Sequence, residues 1–113
     1  MRGPLSVPFL LALVIAVFTG PIASAADDPY TLTIKDHRFE PAEITIPADT
    51  KVALTIKNLD PSPEEFESVE LRREKIVPAG KEAIVHLGPL KPGRYEFFGD
   101  FNPQTARGFV LVK

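Results

Sequence analysis

The stretch Val52-Ala53-Leu54-Thr55-Ile56-Lys57-Asn58 decides the fold class. Val52, Leu54 and Ile56 alternate with Ala53, Thr55 and Lys57, a period of two that sends three branched apolar side chains to one face of a strand. The same rhythm returns on both sides of it. Upstream, Leu32 and Ile34 alternate with threonines, and Ile44 and Ile46 alternate between Pro41 and Pro47. Downstream, Ala83, Val85 and Leu87 alternate with Ile84 and His86, Tyr95 and Phe97 follow Gly93, and Phe109 to Val112 is a continuous apolar run that reads as a buried closing strand. Glu65 to Val69 and Lys75 to Val77 are weaker strand candidates, separated by a charged stretch that could hold a helical turn. Reversals fall at Leu59-Asp60-Pro61-Ser62-Pro63, Pro78-Ala79-Gly80 and Gly88-Pro89-Leu90-Lys91-Pro92-Gly93, where proline removes ladder donors and glycine permits turns. No run after Ala26 keeps a 3.6-residue period. Seven or eight short strands with turn signals about every 8–12 residues predict an all-β sandwich or Greek-key barrel. Its expected core includes Leu32, Ile34, Val52, Leu54, Ile56, Val85, Tyr95, Phe97, Phe109 and Leu111.

At 113 residues the chain holds one domain only. Arg2, the apolar run Leu5 to Phe18, and Ala23-Ser24-Ala25 after Pro21 form the three regions of a cleaved secretory signal peptide, residues 1–25. An uncleaved anchor is the alternative, but the run is interrupted by Pro8 and is short against the ~20 residues a spanning helix needs. The mature domain is therefore expected at residues 26–113, soluble and exported, most simply into a bacterial periplasm. Without Arg2 it carries 12 of the chain's 13 Lys and Arg against all 15 Asp and Glu, a formal charge of −3. Nucleic acid is an unsuitable partner for such a surface, because phosphate contacts need a basic face. Export would permit disulfides, yet there is no cysteine to form one. The domain must hold together on its apolar core.

Catalysis has little material here. There is no Cys, only His37 and His86 titrate near neutral pH, and the seven glycines lie dispersed at turns instead of forming a phosphate loop. His86 falls in the outward phase of its strand and receives no role. The unusual feature is a carboxylate concentration: Glu64, Glu65, Glu67, Glu70 and Glu74, with Glu96 and Asp100 nearer the C-terminus. On a strand, Glu65 and Glu67 share one face while Phe66 takes the other, so two carboxylates can converge on one hard or borderline cation. The same spacing equally describes a solvated acidic face that discourages pairing on an edge strand. His37, in Lys35-Asp36-His37-Arg38 at the end of the first strand, sits where a turn and an exposed imidazole are expected.

The order of elements resembles the cupredoxin superfamily, in particular the EfeO-type cupredoxin-like domain of bacterial periplasmic iron-uptake systems. The matching text is Phe39-Glu40-Pro41-Ala42-Glu43-Ile44, Ile46-Pro47-Ala48, the strand ending in Asn58, Glu65-Phe66-Glu67, Pro78-Ala79-Gly80, Leu90-Lys91-Pro92-Gly93-Arg94-Tyr95 and Gly108-Phe109-Val110-Leu111-Val112. This resemblance implies a Greek-key β-sandwich with a metal site at one end, built from the segment after the Asn58 strand and the loop between the last two strands. It also exposes departures. Blue-copper members use a thiolate, two imidazoles and usually a thioether, whereas here Gly99 stands where the cysteine is expected, Asn102 near the expected histidine and Arg107 near the expected methionine, and the sole methionine is Met1.

Relatives without the blue-copper set keep acidic residues after the Asn58 strand, and Glu65 and Glu67 match that pattern. Strand geometry and the resemblance together give an expected metal site of Glu65, Glu67, Asp100 and His37. Asp100 follows by one residue the position of the missing thiolate, and His37 is the imidazole with an approach to that end. Oxygen ligands with at most one imidazole suit iron, manganese or Cu²⁺ better than Cu⁺. The implied role is a periplasmic metal-binding protein that assists ferrous iron uptake by carrying the ion or exchanging an electron with it, beside a periplasmic iron-binding protein or an inner-membrane iron transporter. The competing expectation is a metal-free β-sandwich that docks a protein of an envelope complex through its acidic face. Purified protein loaded with Cu²⁺ is expected to show no intense visible charge-transfer band, because that band needs a cysteine sulfur; an intensely blue product would overturn the ligand reading.

Overall fold

Strands that alternate as Val52–Asn58 does leave one apolar face each, and two sheets bury such faces against one another. The computed structural model describes residue 3 and residues 30–113. The signal peptide and cleavage position expected within residues 1–25 lie outside the described residues, Gly3 apart. Among the described residues nine strands follow in order: β1 (Thr31–Lys35), β2 (Arg38–Glu40), β3 (Glu43–Ile46), β4 (Val52–Asn58), β5 (Glu64–Ser68), β6 (Arg73–Val77), β7 (Glu82–Leu87), β8 (Gly93–Gly99) and β9 (Arg107–Val112). They form a four-stranded sheet in the order β2-β1-β4-β7 and a five-stranded sheet in the order β3-β9-β8-β5-β6. β1 runs parallel to β4 and β3 parallel to β9, while the other pairs are antiparallel. The fold is an all-β sandwich, and the strand count among the described residues is close to expectation.

The additional strand is β2. Lys35 lies directly opposite Arg38, so Asp36 and His37 form a two-residue hairpin turn, both with φ between 52° and 58°. Two consecutive positive φ values are the geometry of the primed turns that match strand twist. β2 buries only Phe39, which is too little apolar signal to be read as a strand in the sequence. The segment Val69–Arg72 closes the β5–β6 hairpin as a tight turn, with the Arg72 N–H donating to the Val69 carbonyl at 3.2 Å, in place of the helical turn considered for that stretch.

The core contains Leu32, Ile34, Val52, Leu54, Ile56, Val85 and Phe97, as the alternation predicts, together with Phe39, Phe66, Leu71, Val77, Val110 and Val112. Phe66 and Phe97 lie 5.2 Å apart between ring centroids, and Phe39 meets both edge-on at 6.2 and 5.0 Å. These contacts come from three strands and clamp the two sheets together. Expected burial fails at β9. Phe109 and Leu111 are only half-buried, and Gly108, Val110 and Val112 take the inward phase. A continuous apolar run carries no phase of its own, so register against β8 decides it, with Tyr95 opposite Val110 and Gly93 opposite Val112. Phe109 instead lies under the Arg94 guanidinium, 3.7 Å from its ring centroid. Tyr95 is likewise half-buried and packs against the core from its margin. Phe97→Ala is expected to cost about 3–5 kcal/mol in urea unfolding, as removal of a fully packed aromatic does, and Phe109→Ala distinctly less. Equal costs would show that both rings belong to the core.

Candidate metal centre

Asn58, the last inward residue of β4, sets the end of the sandwich where the carboxylates lie. Its side-chain amide donates to the Ser62 and Val77 carbonyls at 2.9 and 3.0 Å, and its Oδ1 accepts the Asp60 N–H at 2.9 Å. One buried amide therefore fixes the proline-rich turn on β6. Asp60, buried beside it, accepts the N–H groups of Asp36 and His37 at 2.7 and 2.9 Å and so holds the β1–β2 turn. These bonds satisfy a buried carboxylate that would otherwise be costly. Among the described residues no buried side-chain nitrogen or oxygen lacks a partner.

The chain leaves this turn into β5, whose residues alternate strictly. Glu64, Phe66 and Ser68 are buried, and Glu65 and Glu67 are half-buried on the outer face. Glu65 and Glu67 thus share a face, as strand geometry requires. β5 is flanked by β8 and β6, so the acidic pair does not lie on an edge strand; the edge is β6, whose first four residues are all exposed. Asp100 follows β8, and its N–H donates to the Glu65 carbonyl at 2.9 Å. Glu65, Glu67 and Asp100 each offer an oxygen within 4.8 Å of the others.

His37 is not brought into this group. Its Nδ1 lies 3.6 Å from the Asp60 carboxylate, and its carbonyl accepts the Thr105 hydroxyl at 2.6 Å, so its turn is tied to the far side of the loop between β8 and β9. Glu74 instead stands directly opposite Glu67 across the β5–β6 hairpin and adds a like charge beside Glu65 and Glu67. Its signal in the sequence was the hairpin register, which cannot be fixed before the turn at Val69–Arg72 is known. Glu96 is engaged elsewhere, by Arg107.

Partial burial on the sheet face raises the Glu65 carboxyl above its ordinary 4.5, and the charges of Glu74 and Asp100 raise it further. Glu67 is raised for the same first reason, then by Asp100, Glu74 and Glu65. Such mutual repulsion is relieved by a proton or by a cation. Three carboxylates without thiolate or imidazole form a hard oxygen donor set. A thiolate copper centre does not fit the residues present. A Cβ built on Gly99 would lie 2.6 Å from Glu64 Cδ and 2.7 Å from Ala106 Cβ, so the space beside Gly99 is already filled.

Two facing sheets, one holding the parallel β1–β4 pair and the other the parallel β3–β9 pair, define a cupredoxin-like sandwich, here with an acidic group on its outer face. The cupredoxin-like domain family model matches residues 8–112, and the chain belongs to that family. An uncharacterized protein of Rickettsia prowazekii (strain Madrid E) is 52% identical over 81 residues, which are 72% of this chain and 65% of that protein's length. Similar solved structures include the metal binding domain of the Cu(I)-exporting P-type ATPase of Streptococcus pneumoniae D39, at a TM-score of 0.65 and 20% identity over 74% of this chain and 82% of that one. They also include amicyanin from Paracoccus versutus, at 0.61 and 18% identity over 80% and 86% of the two chains, and a purple cupredoxin from Nitrosopumilus maritimus, at 0.58 and 19% over 74% and 99%. At such identities these likenesses are likenesses of fold.

Because Glu65 and Glu67 titrate higher in the folded chain than in the unfolded one, their contribution to stability is fully present below the unfolded value of 4.5 and is lost as pH rises through the raised folded values. The combined change Glu65→Gln and Glu67→Gln is expected to shrink the fall in urea midpoint between about pH 4 and pH 7 relative to the wild type. An unchanged fall would mean that these carboxylates do not repel one another in the folded protein.

Proposed function

We propose that this chain is an exported, periplasmic metal-handling protein that binds an iron ion, or Cu²⁺, through Glu65, Glu67 and Asp100 and assists ferrous iron uptake in the manner of an EfeO-type cupredoxin-like domain. The observation that carries the proposal is the convergence of three carboxylate oxygens within 4.8 Å on the outer face of the sandwich. Carboxylate oxygens hold hard cations without the soft ligands that copper redox centres use, which favours carriage of the ion over rapid electron exchange. Membership of the cupredoxin-like family, with a metal binding domain solved with Cu(I) among the similar folds, adds support for metal handling in general. A half-exposed site suits an ion that must be received and passed on, to a periplasmic iron-binding protein or an inner-membrane iron transporter.

Calorimetry and thermal-shift series with Fe²⁺ under anaerobic conditions, Fe³⁺, Mn²⁺ and Cu²⁺ test the reading. A cation that binds the native state at 100 times its Kd adds about 2.7 kcal/mol of stability. That gain is expected for at least one ion with the wild type and is expected to vanish in the Glu65→Gln and Glu67→Gln double variant, which should be slightly more stable than the wild type without metal. A double variant that keeps the full shift with every ion would reduce the group to an acidic docking surface.

A further inference from the structure

Glu64 stands apart from the outer carboxylates. It lies in the inward phase of β5 beside Phe66, only 1% exposed, where an unpaired charge would be strongly unfavourable. Its oxygens are met by donors alone: Oε1 accepts the Phe101 N–H at 2.9 Å and the Glu65 N–H at 3.1 Å, and Oε2 accepts the Asn102 side-chain amide at 2.6 Å. A group ringed by N–H donors is set up to hold an anion and offers no face to a cation. Two of its three partners are the residues that directly follow Asp100.

The space for this carboxylate comes from Gly99. A Cβ there would lie 2.6 Å from Glu64 Cδ and 2.8 Å from Oε1. Gly99 is not among the residues with positive φ, so glycine is required at this position for room and not for backbone conformation. The loop itself is closed at its base by the Gly99 N–H donating to the Ala106 carbonyl at 2.8 Å. Across the strand, Asp100 donates its N–H to Glu65, the neighbour of Glu64.

We propose that Glu64 is a positioning residue: its buried carboxylate, seated in the hollow left by Gly99, anchors the loop between β8 and β9 and thereby holds Asp100 beside Glu65 and Glu67. The purpose of that placement rests on the metal-handling reading above, whereas the anchoring is a property of the ion-free protein. A charged acceptor bound by several N–H donors makes the stronger class of hydrogen bond, so Glu64 holds the Asp100 end of a loop whose other end is held by its own backbone turns and by the Thr105 hydroxyl on the His37 carbonyl.

The test compares Glu64→Ala, Glu64→Gln and the swap Glu64→Gln with Asn102→Asp, which restores a carboxylate-to-amide pair with the polarity reversed. Amide hydrogen exchange in the ion-free protein is read at Asp100 and Phe101 against Leu54 in the core, and Mn²⁺ affinity is read by titration. Glu64→Ala is expected to speed exchange at Asp100 and Phe101 at least about tenfold more than at Leu54, as loss of hydrogen bonds to a charged acceptor would, and to weaken Mn²⁺ binding. The swap is expected to recover most of both losses. Should Glu64→Ala not fold, Glu64→Met, which matches the side chain in length and offers Phe101 and Asn102 no carboxylate oxygen, gives the same comparison. Exchange at Asp100 and Phe101 that merely follows Leu54 in the Ala or Met variant would overturn the proposal. Wild-type protein that binds no ion, with local exchange still raised in the variants, would remove the metal reading and leave the anchoring intact.

Discussion

The phase of β5 is the constraint on which this end of the molecule depends. Phe66 is locked between Phe39 and Phe97, and a strand turns its side chains alternately, so seating Phe66 in the core sends Glu64 and Ser68 inward and Glu65 and Glu67 outward with no freedom left. Each consequence has a partner that makes it tolerable. Ser68 donates its hydroxyl to the Glu96 carbonyl at 2.6 Å and accepts the Leu71 N–H at 3.1 Å, which ties the β5–β6 turn to β8. Glu64 is met by loop donors. The outward pair has no such relief from its own sheet, because Glu74 stands directly opposite Glu67 and like charges facing across strands destabilise the pair. The fold tolerates an acidic face that its own packing does not explain.

The legible part of the fold was the part with alternating apolar residues. β1, β4 and β7 carry two or three large inward side chains each, and their period fixes both strand and face. β9 is apolar throughout, so its strand character was readable while its face was not; the ladder to β8 chose Val110 and Val112 over Phe109 and Leu111. β2 buries one residue and escapes any periodicity argument. Within the candidate site, the shared face of Glu65 and Glu67 follows from strand geometry alone. The place of Asp100 rests on the resemblance, and what makes it physical is a cross-strand bond to the Glu65 carbonyl.

The remaining residues were hidden for a definite reason. His37 sits in a turn whose direction depends on Asp60, a buried carboxylate that local sequence cannot distinguish from an exposed one. In the sequence Glu64 is one more acid in a run of acids, although its spacing of two from Phe66 signals burial. Once Asn58, Asp60 and Glu64 are recognised as buried, the turn between β4 and β5 and the loop between β8 and β9 become a single hydrogen-bonded assembly, with side chains replacing the ladders that loops lack.

The packing beside Gly99 also limits which neighbouring sequences are reachable. Any larger residue at 99 meets the Glu64 carboxylate and the Ala106 methyl group, while shortening Glu64 first strips Phe101 and Asn102 of their acceptor. Neither change is easy alone, and each is easier once the other has been made. The two positions form an epistatic pair, so this arrangement does not reach a thiolate at that spot by single steps, and a designer who wants one there must alter both positions together and displace the Ala106 methyl group as well.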